Sequence, residues 1–110
     1  MATTYKILGQ SAPADTSNAN LYTVPSSTST VVSTIAVANT TANVVAARIF
    51  ARIGGAAAAT SNAIMYDTNI PAYATSFVTI GATLAATDII TVRSATASAL
   101  TFTAFGSEIS

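Results

Sequence analysis

Hydrophobic and polar positions alternate with a period of two along much of this chain. Between residues 45 and 53 the odd positions are all apolar: Val45, Ala47, Ile49, Ala51 and Ile53. A helix would scatter these side chains around its axis, whereas a strand places them on one face. The pattern therefore predicts a strand with a buried odd face, while Arg48, Phe50 and Arg52 on the even positions point away from the core.

Similar segments recur along the chain, and we predict about eight strands, at residues 4–8, 21–24, 30–38, 44–53, 64–67, 75–80, 89–94 and 99–105. The breaks between them carry turn residues, with Gly9 expected to close the first strand, Pro25 to end the second and Gly54-Gly55 to form a turn. Short strands at this spacing predict an all-β fold, a single antiparallel β-sandwich that is jelly-roll-like and occupies residues 1–110 as one domain. The alanine-rich segment 56–63 leaves a helical turn or a pliable loop open.

Composition adds an expectation about association. Ala, Thr and Ser make up half of the 110 residues, and only eight residues are charged, whereas an average soluble domain is about 25% charged. So few charges predict a homo-oligomer or a subunit of a larger assembly. The net charge of zero gives no electrostatic reason to expect nucleic acid or an anionic membrane as a partner. We also expect no signal peptide and no membrane-spanning helix, because long apolar runs are missing.

The residues that usually carry catalysis are scarce. There is no His and no Cys, which removes the common triads and thiolate metal sites. The four carboxylates lie far apart in the sequence: Asp15, Asp67, Asp88 and Glu108. We therefore expect no enzymatic activity, no cofactor and no metal ion. The segment Asp67-Thr68-Asn69 leaves a cation site open, but an Asx turn before Pro71 is favoured.

The even face of the strand at residues 44–53 supplies the candidate interface. Arg48 and Arg52 flank Phe50, and an aromatic residue between two arginines is typical of an anchor for a partner surface. The alternative is that Phe50 packs against a second layer while the arginines extend along it. Pairing of the arginines with carboxylates of a neighbouring copy stays open. So does a glycan-binding platform of tyrosines, although core or rim packing is favoured for them: Tyr5, Tyr22, Tyr66 and Tyr73.

Six segments, taken in order, resemble small virion structural proteins of tailed phages, especially phages of cyanobacteria and marine bacteria. The segments are residues 1–10 (MATTYKILGQ), 21–25 (LYTVP), 31–39 (VVSTIAVAN), 70–72 (IPA), 81–88 (GATLAATD) and 105–110 (FGSEIS). The likeness spans nearly the whole chain, and the order of the segments carries it. It departs at residues 39–43, which are rich in Thr and Ala where the relatives carry more Asn, Gly and Arg.

The resemblance implies a non-enzymatic protein located in the virion, with the phage major capsid protein or other virion proteins as partners. The leading role is capsid decoration, in which a cement protein bridges shell subunits, and a trimer is the common arrangement for such proteins. One alternative is a neck, tail, baseplate or fibre-adaptor component. Another is a carbohydrate-binding module for host adhesion. The family supplies no catalytic residues to assign.

Overall fold

Eight strands make up most of residues 2–110, the part of the chain that the computed structural model describes. Met1, which begins the N-terminal segment of the resemblance, lies outside the described residues. A short 3-10 turn, Thr60–Asn62, falls within the alanine-rich segment. Nothing helical in residues 2–110 has the length and apolarity needed to cross a bilayer. The strands are β1 (Thr3–Ser11), β2 (Ala19–Thr23), β3 (Ser29–Asn39), β4 (Val45–Arg52), β5 (Ala63–Ile70), β6 (Thr75–Leu84), β7 (Ile89–Ser94) and β8 (Leu100–Ile109).

The strands form two antiparallel four-stranded sheets. The first sheet has the order β1-β8-β3-β6 and the second has the order β2-β7-β4-β5. The chain crosses from one sheet to the other at every connection except that between β4 and β5. This arrangement is the jelly-roll form of the β-sandwich. The predicted fold class, with about eight strands, is therefore confirmed.

The core lies between the two sheets and is built from every second residue of the strands. In β4, Val45, Ala47 and Ile49 are buried in this core, as the alternation predicts. The prediction is wrong for Ile53, which is 82% exposed. Strand β4 ends at Arg52, and the chain then enters the predicted turn, where Gly54 has a φ of +55°. The alternation of faces no longer applies beyond the strand end.

Glycine does not end the first strand, because β1 continues through Gly9 to Ser11. A Cβ atom at Gly9 would lie 2.2 Å from the carbonyl oxygen of Leu21. A residue without a side chain is therefore needed where β1 approaches the backbone of β2. Gly106 has the same role in β8, since a Cβ atom there would lie 2.0 Å from the carbonyl oxygen of Val31. Both glycines therefore lie inside strands and allow the backbone of another strand to approach closely.

Bulges extend two strands beyond their predicted ends. In β5, Tyr66 and Asp67 together lie opposite Arg48, so the chain gains one residue and continues to Ile70. The expected Asx turn at residues 67–69 is therefore wrong, since these residues belong to the strand. In β6 the extra residue lies at Gly81, where φ is +60°. A bulge absorbs an extra residue without ending the pairing of the strands.

A hydrogen-bond network joins the two sheets at one end of the core. The Tyr22 hydroxyl of β2 donates to the Glu108 carboxylate of β8 at 2.5 Å and lies 2.8 Å from the Thr30 hydroxyl of β3. Because the phenol has a single proton, the Thr30 hydroxyl is the donor in the second bond. The Lys6 ammonium lies 2.9 Å from the other oxygen of Glu108. We call Lys6, Tyr22, Thr30 and Glu108 the inter-sheet network.

The network shifts the pKa values of two members in opposite directions. Burial and the bond to Glu108 raise the pKa of Tyr22 to about 12. The bonds from Tyr22 and Lys6 hold the pKa of Glu108 below its usual value. Both shifts favour the neutral phenol and the ionised carboxylate, which are the forms that make the short hydrogen bond.

Replacing Tyr22 by Phe should lower the free energy of unfolding by about 1–3 kcal/mol, because Thr30 and Glu108 lose a partner in a largely buried site. The matched control is Tyr5→Phe. Tyr5 is 83% exposed, so this change should stay within about 0.5 kcal/mol. Urea titration at neutral pH measures both variants, and equal effects would contradict the structural role of the network.

The difference between wild type and Tyr22→Phe should also depend on pH. The contribution of Glu108 is present above the unfolded pKa of about 4.3 and disappears as pH falls through its lower folded pKa. The contribution of Tyr22 is present below about pH 10 and disappears as pH rises through its folded pKa of about 12. The stability difference should therefore shrink at both extremes, and a difference independent of pH would contradict the assignment.

Two isoleucines of one sequence segment should differ in how much stability is lost when each is replaced by a charged residue. Ile49→Asp places an unpaired carboxylate at a position with 0% exposure and should cost more than about 4 kcal/mol, enough to prevent folding. Ile53→Asp, at an exposed site, should change stability by less than about 0.5 kcal/mol. Circular dichroism during thermal unfolding measures both, and a soluble, fully folded Ile49→Asp variant would reject the position of β4.

Candidate functional site

The charged side chains are distributed unequally between the outer faces of the two sheets. All three arginines belong to the second sheet: Arg48, Arg52 and Arg93. The two charged residues of the first sheet, Lys6 and Glu108, pair with each other and with Tyr22 of the second sheet, which places them on the inner side. Among residues 2–110, the outer face of the first sheet therefore carries no charged side chain. The molecule presents one charged and one uncharged face.

On the charged face, Arg48 lies directly opposite Arg93 on the neighbouring strand. The guanidinium of Arg48 bonds both oxygens of Asp67, with Nε–Oδ1 at 2.6 Å and Nη2–Oδ2 at 3.0 Å. It also lies 4.0 Å above the ring of Tyr66, within the range of a cation–π contact. Because Asp67 belongs to the same chain, these contacts leave Arg48 engaged internally.

The bulge in β5 brings Asp67 to Arg48. Asp67 has a φ of +51°, a left-handed conformation that Asp tolerates better than most residues. The hydrogen bonds from Arg48 hold the pKa of Asp67 below its usual value and raise the pKa of Arg48. Each charge therefore stabilises the other across a bidentate contact.

Phe50 is on the outer side of β4, as the alternation predicts, but it is not a free anchor. Its exposed fraction is only 3%, although it lies outside the core cluster between the sheets. The ring of Tyr66 makes an edge contact with it, with centroids 6.3 Å apart and planes at 81°. Phe50 therefore points away from the core, as predicted, but it is covered within the chain, which favours the alternative that it packs beneath a second layer of side chains.

Arg52 is also engaged within the chain. Its Nε donates to the carbonyl oxygen of Ala56 at 2.5 Å, and Nη1 donates to Thr91 at 3.1 Å and to Asn20 at 3.3 Å. These bonds hold the loop after β4 against the sheet and cover the buried hydroxyl of Thr91. The contact of Arg48, Phe50 and Arg52 with a partner stays a prediction, but all three side chains already make contacts within the chain.

A cavity of about 200 Å³ opens on the charged face between β4, β5 and β7. Two arginines and one carboxylate are among the six residues that line it, which are Thr16, Ala46, Arg48, Asp67, Arg93 and Ala95. The Nε of Arg93 donates to the carbonyl oxygen of Thr16 at 2.7 Å. Among residues 2–110, no carboxylate forms a salt bridge with Arg93. The cavity therefore holds one guanidinium with unused donors beside an internally neutralised pair.

The carboxylates are not assembled into a site. Asp88 accepts hydrogen bonds from the backbone amides of Gly54 and Ala85, both at 2.9 Å, and the inter-sheet network holds Glu108. Within the described part of the chain there is no group of three His, Cys, Asp or Glu side chains that could hold a metal ion. The absence of enzymatic activity and of metal binding stays a prediction.

The four tyrosines are dispersed. Tyr22 is in the core, Tyr5 and Tyr66 lie on the outer faces of different sheets, and Tyr73 is in the turn between β5 and β6. The structure therefore does not bring them onto one stacking platform for a glycan. Core or rim packing is the favoured interpretation: Tyr22 packs in the core, and the half-exposed Tyr66 packs against Phe50 and Arg48 on the charged face.

The uncharged face is the feature that sequence analysis missed. Its cross-strand rows combine Thr, Ser and Ala with large apolar side chains that remain exposed. One row runs from Ile7 through Phe105 and Thr34 to Thr79, and the next runs from Gln10 through Thr103 and Ala36 to Phe77. The exposed apolar residues of this face are Tyr5, Ile7, Phe77 and Phe105. A signal was present, since the outward positions of four strands lack charge, but only the pairing of those strands shows that they share a face.

Comparisons with known proteins add little to this description. No family model matches the chain, and no curated protein matches it in sequence. The fold is similar to a chain in the structure of infectious bursal disease virus, Gt strain, with a TM-score of 0.48 and 11% sequence identity. The match covers 96% of this chain and 32% of that chain. A similarity this low supports no inference about function.

Truncation of Phe50 tests its burial on the charged face. Phe50→Ala should lower the free energy of unfolding by about 3–5 kcal/mol, because a buried aromatic side chain is lost. The control Tyr5→Ala removes an exposed ring and should cost less than about 0.5 kcal/mol. Chemical denaturation measures both. A cost below about 1 kcal/mol for Phe50→Ala would restore it as an outward anchor.

Proposed function

We propose that this protein is a non-enzymatic structural component of a tailed-phage virion, acting as a capsid decoration (cement) protein that bridges shell subunits. The uncharged outer face of the first sheet is the observation that carries the proposal. We assign the contact with the shell to this face, and not to Arg48, Phe50 and Arg52.

The free energy of desolvation favours the uncharged face as a contact surface. Removing a charged group from water is expensive unless it is paired, whereas burying methyl and aromatic groups is favourable. The hydroxyls of Thr and Ser keep the face wettable, and their short side chains lose less conformational entropy on burial than Lys or Arg. On the charged face, by contrast, a partner must compete with bonds that Arg48 and Arg52 already make.

The size of the face fits a weak, repeated contact. Four strands about 4.8 Å apart and about ten residues long give a surface on the order of 600 Å². A stable protein–protein interface buries about 800 Å² on each partner. A single contact of this size is modest, but a decoration protein repeats it many times on one shell, and simultaneous contacts reinforce one another.

A neck, tail, baseplate or fibre-adaptor role is the first alternative, because the same face would suit any protein surface of the particle. A carbohydrate-binding module for host adhesion is the second. The exposed rings of Tyr5, Tyr66 and Tyr73 provide stacking surfaces for it, but they lie apart.

Gold-labelled antibody against the purified protein, applied to particles of the virus that encodes it, tests the proposal by electron microscopy. Gold distributed over the shell is the expected result. Gold confined to the neck, tail or baseplate would replace the cement role by the first alternative. Gold on the fibres, together with binding of host polysaccharide by the purified protein, would replace it by the second. Particles without gold would overturn the virion assignment.

A matched pair of variants tests the contact surface. Ile7 lies on the uncharged face and is 52% exposed, whereas Val44 lies at the corner between β3 and β4 and is 60% exposed. Ile7→Lys should reduce the number of copies per particle at least tenfold, because a buried unpaired charge costs more than about 1.4 kcal/mol. Val44→Lys should leave the number unchanged. Equal incorporation of both variants would reject the uncharged face as the contact.

A further inference from the structure

We propose that β6, an edge strand of the first sheet, pairs with β6 of a second copy of this chain about a two-fold axis, joining two four-stranded sheets into one of eight strands. The proposal concerns contact between copies and does not depend on the virion role.

Edge strands expose unpaired backbone groups, and proteins normally protect them with charge, proline, bulges or short length. Three of the four edges in this sandwich are protected in this way. Strand β1 carries Lys6 and a bulge at Leu8. Strand β2 has five residues and is followed by Pro25. Strand β5 carries Asp67 and two irregularities in its pairing with β4.

Strand β6 lacks these protections over most of its length. It has ten residues, and its only register shift with β3 lies near its end, at Gly81. The preceding segment, residues 75–80, reads Thr-Ser-Phe-Val-Thr-Ile, with no charge, no proline and no glycine. Six-residue segments of high β-propensity and low charge are those most prone to pair with another strand when exposed on an edge.

The burial of β6 is also incomplete on both of its faces. Val78 and Ile80 face inward and pack against the core, yet they are only partly buried. Phe77 on the outer side is 68% exposed. A strand added beside β6 would cover part of all three side chains, and the gain in buried apolar area would favour association.

The sequence of β6 favours a second copy as the added strand. Directly opposite residues of an antiparallel pair must face the same side of the sheet. The two-fold axis must therefore lie level with one residue, so that this residue is directly opposite its own copy. An axis through Phe77 places the two Phe77 rings side by side and sets Thr75 opposite Thr79 of the partner subunit. Aromatic pairs and threonine pairs are both favourable cross-strand combinations.

The uncharged outer face removes the usual obstacle to such symmetry. A two-fold contact brings identical surfaces together, so every charge near the axis would meet its own copy. Among residues 2–110, the outer side of the first sheet has no charge to repel, whereas a similar contact along β5, an edge of the second sheet, would bring the Asp67 carboxylates of both copies to one edge.

Sedimentation velocity of the purified protein, with lysine substituted for an exposed aromatic on each edge of the first sheet, tests the pairing. Wild type should form a dimer whose population rises with concentration. Phe77→Lys should weaken dimerisation at least tenfold, because two lysines then meet at the axis. Tyr5→Lys, on the opposite edge strand, should dimerise like wild type. Unchanged thermal unfolding of the monomeric variant would show that loss of the dimer does not reflect misfolding.

Oxidative cross-linking tests the register, since the chain has no native cysteine. Phe77→Cys places two thiols opposite each other at the axis, where the Cα separation of an antiparallel pair, about 4.5–5.5 Å, suits a disulfide. It should cross-link far faster than Tyr5→Cys. Equal rates for the two variants would overturn the pairing.

Other outcomes separate this proposal from the virion role. A wild-type monomer at high concentration, or a trimer, would overturn the two-fold pairing even if gold labels the particles. A wild-type monomer whose binding to particles is abolished by Phe77→Lys would also overturn it, and would assign the β6 edge to a strand of another virion protein. If the purified protein forms a dimer but the particles carry no gold, the pairing is supported and the virion role is rejected.

Discussion

The packing of two sheets through their inner faces is the constraint on which the rest of this structure depends. Most strands supply one apolar row, and the core buried between the sheets consists mainly of Val, Ile, Ala and Leu side chains together with Phe102. The other row of each strand is free of that requirement. The inter-sheet network closes one end of the core with a buried phenol and a paired carboxylate, so polar groups enter the interior only where each has a partner.

The two outer faces meet water in different ways. The second sheet concentrates the arginines, which are held by Asp67, Tyr66 and backbone carbonyls, and Tyr66 also contacts the buried Phe50. The first sheet exposes hydroxyls, methyl groups and aromatic rings without charge. Of the eight charged residues, half lie on the outer side of the second sheet and none on the outer side of the first, so burying the first face removes no charged group from water. This asymmetry links the composition to assembly.

Departures from regular pairing determine where each face ends. Gly9 and Gly106 let strands approach backbones that a side chain would strike. The bulge at Tyr66-Asp67 directs a carboxylate to Arg48, and it also disrupts the edge of the second sheet. The segment 75–80 of β6 has no such disruption. The same kind of irregularity therefore builds the charged face and protects its edge, while its absence leaves an edge of the first sheet open to pairing.

The period-two pattern by itself determined the fold class, the number of strands and the inward row of β4, because alternation is a local property of each strand. It did not determine where strands end: Ile53 lies in a turn, and residues 67–69 lie in a strand, since bulges and turns depend on the neighbouring strand. It placed Phe50 on the outer side but did not show that Tyr66 covers it. Only the tertiary structure decided which strands are neighbours, and therefore that the arginines share one face while the other is uncharged, because a shared face is a property of strand order, to which residues far apart in sequence contribute together.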